Sequence, residues 1–162
     1  MGTSTCQTIL DESTIDGPTV TSLQCNYVIY IAGNASDVWS ALTDADSTGA
    51  WWGHSNISDW KVGSTWKHVR ADGSDEVDGV GEVLESVQPN RLAMTFPTPK
   101  PSTVAFDLEE FADSVRLTMT HTELDDEATC SGVARIWPAL LSNLKTYVES
   151  GKVMATSPLS TL

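Results

Sequence analysis

Apolar and polar residues alternate through the middle of the chain, and near its end the apolar spacing switches to that of a helix. From Thr19 to Ile31 the sequence is β-prone, with Tyr27, Ile29 and Ile31 on one face and Val28 and Tyr30 on the other. Asn34 has the side chain of a helix cap, and Asp37 sits where it favours the positive helix end. Val38, Ala41 and Leu42 then form an apolar stripe with Trp39 beside it. Asp44 to Trp52 predicts a second short helix, stopped by Gly53. Thr65 to Arg70 alternates, and Asp72-Gly73 predicts a two-residue hairpin turn before a strand from Glu76 to Val87. After a Gln88-Pro89-Asn90 turn, Leu92, Met94 and Phe96 share a face. Pro97 to Pro101 cannot supply ladder donors and reads as a loop or sheet edge. Val104, Phe106 and Leu108, then Val115, Leu117, Met119 and His121, mark two more half-buried antiparallel strands.

Val133, Ile136, Trp137, Leu140, Leu141, Leu144 and Val148 make one helical stripe ended by Gly151, and Pro138 within it predicts a helix that starts or bends there. This helix is the only element long enough to cover the apolar face of the sheet, so the pattern predicts an α+β layer of sheet and helix with a natural place for a cavity between them. Residues 1–18, rich in Thr, Ser and Asp, read as a mobile arm, 19–152 as the domain and 153–162 as a loose tail.

The composition narrows the function classes. The 162 residues are 40% apolar and 19% charged, with a formal net charge of −13. Such a field repels a phosphate backbone and an anionic membrane surface, so nucleic-acid and membrane-surface partners are excluded as expectations. No run approaches the roughly 18 apolar residues of a membrane span, and no basic-then-apolar leader is visible. Cys6, Cys25 and Cys130 lack CxxC spacing and read as reduced thiols of a cytoplasmic protein, which makes the two Asn-x-Ser matches at Asn34 and Asn56 chance occurrences. Six tryptophans against three phenylalanines and three tyrosines point to large rigid aromatic walls.

Val38-Trp39-Ser40-Ala41-Leu42-Thr43-Asp44, Trp51-Trp52-Gly53, Asp59 to Ser64, Gly81 to Glu85, Val115 to His121 and Trp137-Pro138-Ala139-Leu140-Leu141 occur in an order and spacing that resembles the START and birch-pollen-allergen superfamily. More narrowly, the chain is similar to the branch named after the C-terminal domain of the activator of the heat-shock-protein ninety ATPase. The resemblance spans Tyr27 to Gly151 and implies a helix-grip fold, a curved antiparallel sheet wrapped on the C-terminal helix with a ligand cavity between them. Ile136 stands where family members often have Gly, and the arm and the acidic loop Glu123 to Glu127 lie outside the pattern. The activator's further N-terminal domain has no room in this chain, which makes a chaperone the less favoured partner.

Among polar residues, His121 shares the inward face of Val115, Leu117 and Met119. It reads either as a satisfied strand-end histidine or as a group that orients a ligand or transfers a proton. Trp66, His68 and Arg70 share one face of their strand, whose sign the pattern leaves open. Trp51, Trp52, Trp60 and Trp137 suit either a core or a cavity wall, and residues 52–60 read as a lid hinged at Gly53. His54, His68 and His121 lack metal-ligand spacing, residues 74–85 imitate a calcium loop without its first acid, and no cofactor or metal is expected. No nucleophile motif occurs, and Glu82 and Glu85 fall on opposite strand faces.

The reading is therefore a protein that binds a small, mostly hydrophobic molecule through Trp52, Trp60, Trp66, His68, Met94, Phe96, Phe106, Met119, His121, Trp137 and Leu141. A homodimer through an exposed strand edge is compatible with it. A pocket-type enzyme of the cyclase or hydrolase kind and a chaperone-associated interaction module are the alternatives.

Overall fold

The computed structural model describes residues 4–10, 21–97 and 100–155. Eight strands form one antiparallel sheet: β1 (Thr5–Leu10), β2 (Thr21–Ala32), β3 (His54–Ile57), β4 (Thr65–Arg70), β5 (Val77–Val87), β6 (Arg91–Pro97), β7 (Pro101–Phe111) and β8 (Ser114–Leu124). Their order across the sheet is β1-β2-β8-β7-β6-β5-β4-β3. Helices α1 (Ala35–Thr43) and α2 (Ala45–Trp52) link β2 to β3, and α3 (Glu127–Ser150) follows β8. This is the α+β helix-grip arrangement.

The three helices start where side chains can satisfy their unpaired N–H groups. The Asn34 side chain accepts from the Asp37 N–H at 2.9 Å, Asp44 from the Ser47 N–H at 2.8 Å and Asp126 from the Thr129 N–H at 2.7 Å. Gly53 and Gly151 end α2 and α3 in the left-handed region, which L side chains resist. Helix α3 is 24 residues long and runs through Pro138. It begins eleven residues earlier, at Glu127, because Asp126 rather than the proline supplies the start signal.

The period-2 pattern sets the inner face of the sheet. Ile31, Val83, Leu92, Met94, Val104, Phe106, Val115, Leu117 and Met119 are buried, and Trp137, Leu140, Leu141 and Leu144 of α3 join the same core. Each such side chain contributes about 1.5–3 kcal/mol on full burial. Register carries the layer across strands: Met94 faces Val104, which faces His121, which faces Cys25. Trp66 and His68 of β4 also point inward, whereas Arg70 at the strand end lies outside, paired with Asp78 and Glu76. Trp66 crosses its partner Gly81, and its indole N–H reaches the Thr95 carbonyl at 2.9 Å. A Cβ at Gly81 would collide with both groups.

Four expectations change. Thr5 to Leu10, read as part of an arm, pairs with β2 as an edge strand, while the rest of the expected arm and residues 156–162 of the tail lie outside the described residues. The β4–β5 connection is a six-residue loop rather than a two-residue turn, closed by the Arg70 N–H on the Glu76 carbonyl at 2.8 Å. The segment read as a lid is tied down: His54–Ile57 pairs with β4, and the Trp60 indole donates to the Thr43 carbonyl at 2.7 Å. The reduced-thiol reading fails for two cysteines, because Cys6 and Cys130 are joined as a disulfide between β1 and α3. The fold brings their Cα atoms within 6.1 Å across 124 residues of sequence. Only Cys25 is a free thiol.

Candidate functional site

Between the sheet and α3 lies a pocket of about 160 Å³ lined by Trp52, Phe96, His121, Val133, Ile136, Trp137 and Leu140. Three elements build it. Trp52 comes from the last turn of α2, where the Gly53 stop aims the chain back into β3; Phe96 and His121 come from β6 and β8; the other four occupy two turns of α3. The aromatic rings brace one another. Trp52 lies parallel to Phe96 at 6.1 Å, and Trp137 stands edge-on to Trp52 at 5.4 Å and to Phe106 at 5.7 Å. Such contacts add about 0.5–1.5 kcal/mol each beyond burial and hold the wall rigid.

His121 has both ring nitrogens engaged within the protein. The indole N–H of Trp137 meets His121 Nδ1 at 3.1 Å, and an indole can only donate, so Nδ1 must carry a lone pair. The ring proton is therefore on Nε2, which donates to Ser102 Oγ at 2.7 Å. Ser102 in turn donates to the Phe96 carbonyl at 3.3 Å. Ser102 and His121 thus do not form a nucleophile and its base, because the nitrogen beside the hydroxyl already holds a proton. Burial pushes the imidazole down to about 4, so it is neutral near pH 7 with both nitrogens engaged inside the protein.

His68 sits behind the wall, edge-on to Trp52 and Phe96, with Nδ1 2.6 Å from Asn56 Oδ1. Its ring stacks on His54 at 4.0 Å, and His54 Nε2 lies 2.8 Å from Asp78, which also accepts from Arg70. Burial first, and the neighbouring His54 second, lower His68 to about 4 against the opposing pull of Asp78. Asp78 itself is held down to about 2 by its bonds to Arg70 and His54. His54 Nδ1 and Asn56 Nδ2 are buried without partners among the described residues.

Of the eleven residues expected to touch a ligand, the fold brings Trp52, Phe96, His121 and Trp137 to the pocket wall. Trp66 and His68 form a layer behind it, and Met94, Phe106, Met119 and Leu141 are fully buried core beneath it. Trp60 lies elsewhere, clasped to the end of α1. Val133, Ile136 and Leu140 were not among the expected contacts; their signal was the helical spacing that sets them one face with Trp137. Ile136 stands half-exposed and contributes to the pocket lining. Two larger hollows, of about 240 and 480 Å³, are lined largely by Asp, Ser, Gly and Ala and hold none of the expected site residues. Among the described residues no cluster of His, Cys, Asp and Glu could hold a metal ion, and no helix is long and apolar enough to cross a membrane.

Comparison with solved structures confirms the architecture. The chain is similar to CalU16 from Micromonospora echinospora, with 18% identity and a TM-score of 0.71 over 95% of this chain and 87% of that one. A protein from Bordetella parapertussis is 23% identical with a TM-score of 0.69, covering 99% of this chain and 89% of its own. The Aha1 dimer from Colwellia psychrerythraea is 22% identical with a TM-score of 0.68, covering 80% and 98%. At these identities the likeness establishes the fold. No curated protein matches the chain in sequence. Residues 32–149, from the end of β2 to the last turn of α3, match the family described as Activator of Hsp90 ATPase homolog 1-like protein, and the chain belongs to that family.

Proposed function

We propose that this protein binds a small, mostly hydrophobic molecule between the sheet and α3, and that its ligand is a compound with a single aromatic ring. The pocket of about 160 Å³ carries this reading. Apolar cavities of about 150 Å³ stay dry and take a benzene-sized ring, so this volume suits a single ring. Trp52, Phe96, His121 and Trp137 supply aromatic lining, which suits a ring that meets faces and edges. Polar recognition is sparse. His121 and Trp137 spend their hydrogen-bonding groups on each other and on Ser102. A ligand with several polar groups would leave them desolvated and unpaired against this apolar lining.

Binding is favoured over catalysis because the wall offers no free acid or base in its resting state. The test is a thermal-shift and proton–nitrogen NMR titration of the protein with toluene, phenol and naphthalene. At ten times its dissociation constant a ligand adds about 1.4 kcal/mol of stability. Toluene and phenol are expected to raise the melting temperature and to shift the indole signals of Trp52 and Trp137, with naphthalene weaker. A Val133→Trp variant, which fills the pocket, is expected to lose the response. No shift with millimolar toluene or phenol overturns the proposal.

A further inference from the structure

The three cysteines fall into one cluster with three unequal roles. Cys6 sits on the exposed edge strand β1, its sulfur bonded to Cys130 in the first turn of α3. Cys130 is fully buried, and its sulfur lies near the Gln24 carbonyl. Cys25 is the register partner of Cys6 on β2; it too is fully buried, bonded to Ser4 Oγ at 2.9 Å, and burial pushes its thiol up. Cys6 is thus the exposed residue of the disulfide and Cys130 the buried one, while the free thiol of Cys25 is protonated and shielded.

We propose that Cys6–Cys130 is a thiol–disulfide exchange site, entered at Cys6 by a dithiol reductant, that governs how firmly the start of α3 is held over the pocket. The order of events follows from exposure. The thiolate of the reductant attacks Sγ of Cys6, the exposed residue of the pair, and forms a mixed disulfide there. The Cys6–Cys130 bond breaks, its electron pair leaves on Cys130 Sγ, and that thiolate takes a proton. The second thiol of the reductant then attacks its own sulfur in the mixed disulfide and releases Cys6 as a thiol. One protein disulfide becomes two thiols and the dithiol becomes a disulfide, so electrons and protons balance. Cys25 stays outside the cycle because a buried protonated thiol is a poor nucleophile.

The consequence reaches the pocket through α3. Val133 lies one turn beyond Cys130, and Ile136 and Trp137 lie two turns beyond; all three line the pocket. The disulfide clamps the first turn of this helix to an edge strand that is otherwise held by pairing with β2. Reduction removes the clamp and leaves the first two turns free to lift. This effect on binding rests on the pocket reading above; the exchange chemistry does not.

The experiment uses the full chain, oxidised with oxidised dithiothreitol and then titrated with dithiothreitol. Intact mass spectrometry is expected to show the oxidised protein two hydrogens lighter than the reduced one. Maleimide labelling followed by peptide mapping is expected to mark Cys6 before Cys130 and Cys25 as reduction proceeds. Amide exchange at residues 130–137 is expected to speed at least tenfold on reduction while β7 and β8 keep their protection, and Cys6→Ser is expected to reproduce that change without reductant. An oxidised mass equal to the reduced one, or exchange at 130–137 that ignores both reduction and Cys6→Ser, overturns the proposal. Toluene affinity is then compared in the two forms. An at least threefold weaker affinity after reduction is expected; equal affinity overturns the coupling to the pocket. Redox-dependent exchange without toluene binding in either form overturns the pocket reading and leaves the exchange site standing.

Discussion

Lowering the pH from 7 to 5 is expected to remove about 4 kcal/mol of folding stability, because His68 and His121 must stay neutral in the fold. Both imidazoles have an ordinary value of 6.5 and are held at about 4 in the native protein. The sign follows from proton counting. Between pH 6.5 and 4 the unfolded chain binds protons at these rings that the folded chain refuses, so stability falls as the pH falls through this window. Above 6.5 both states are neutral and the full contribution is present. Below 4 both are protonated and no further loss arises from these rings. At pH 5 the unfolded ring is almost fully charged and the folded one almost fully neutral, which amounts to about 2 kcal/mol for each. Against a typical total of about 5–15 kcal/mol the sum is large. Urea unfolding at pH 7, 6 and 5, followed by tryptophan fluorescence, measures it. His121→Gln keeps an acceptor for Trp137 and a donor for Ser102 while removing the titration, and it should halve the pH dependence. A stability that is flat from pH 7 to pH 5 would refute the burial argument for both rings. A slope that survives His121→Gln unchanged would refute it for His121.

Further outcomes follow from single contacts. Gly81→Ala places a methyl group against the Trp66 indole and the Thr95 carbonyl, and it should cost about 3 kcal/mol through the strain and the lost indole bond, read as a lower urea midpoint. Trp137→Phe keeps a ring on α3 but removes the donor to His121 Nδ1; the imidazole should titrate at higher pH by proton NMR, with a stability loss of about 1–2 kcal/mol. Ile136→Gly should widen the pocket enough for naphthalene to match toluene in the thermal-shift assay, at a helix cost of about 1 kcal/mol that lowers the ligand-free melting temperature.

Much of this molecule was written in local patterns. The alternation through Leu92, Met94 and Phe96, the caps at Asn34 and Asp44 and the stripe from Val133 to Val148 specify strands, helices and their apolar faces, because a period of two or of 3.6 depends only on the chain's own geometry. The same stripe carried Trp137, Val133, Ile136 and Leu140 together on one side of α3, so four of the seven pocket residues were encoded one-dimensionally. What the periodicity leaves open is which face meets which partner. The sign of β4, inward for Trp66 and His68, was settled by the crossing of Gly81, where the missing side chain makes room for the indole. The strand at Thr5–Leu10 is too polar to announce itself and exists because β2 offers an unpaired edge. The state of His121 depends on an indole sixteen residues away that can only donate, and the union of Cys6 with Cys130 on the meeting of two elements 124 residues apart. Tertiary structure alone decided these, because hydrogen-bond direction and sulfur–sulfur proximity are properties of pairs, and local sequence does not encode distant pairs.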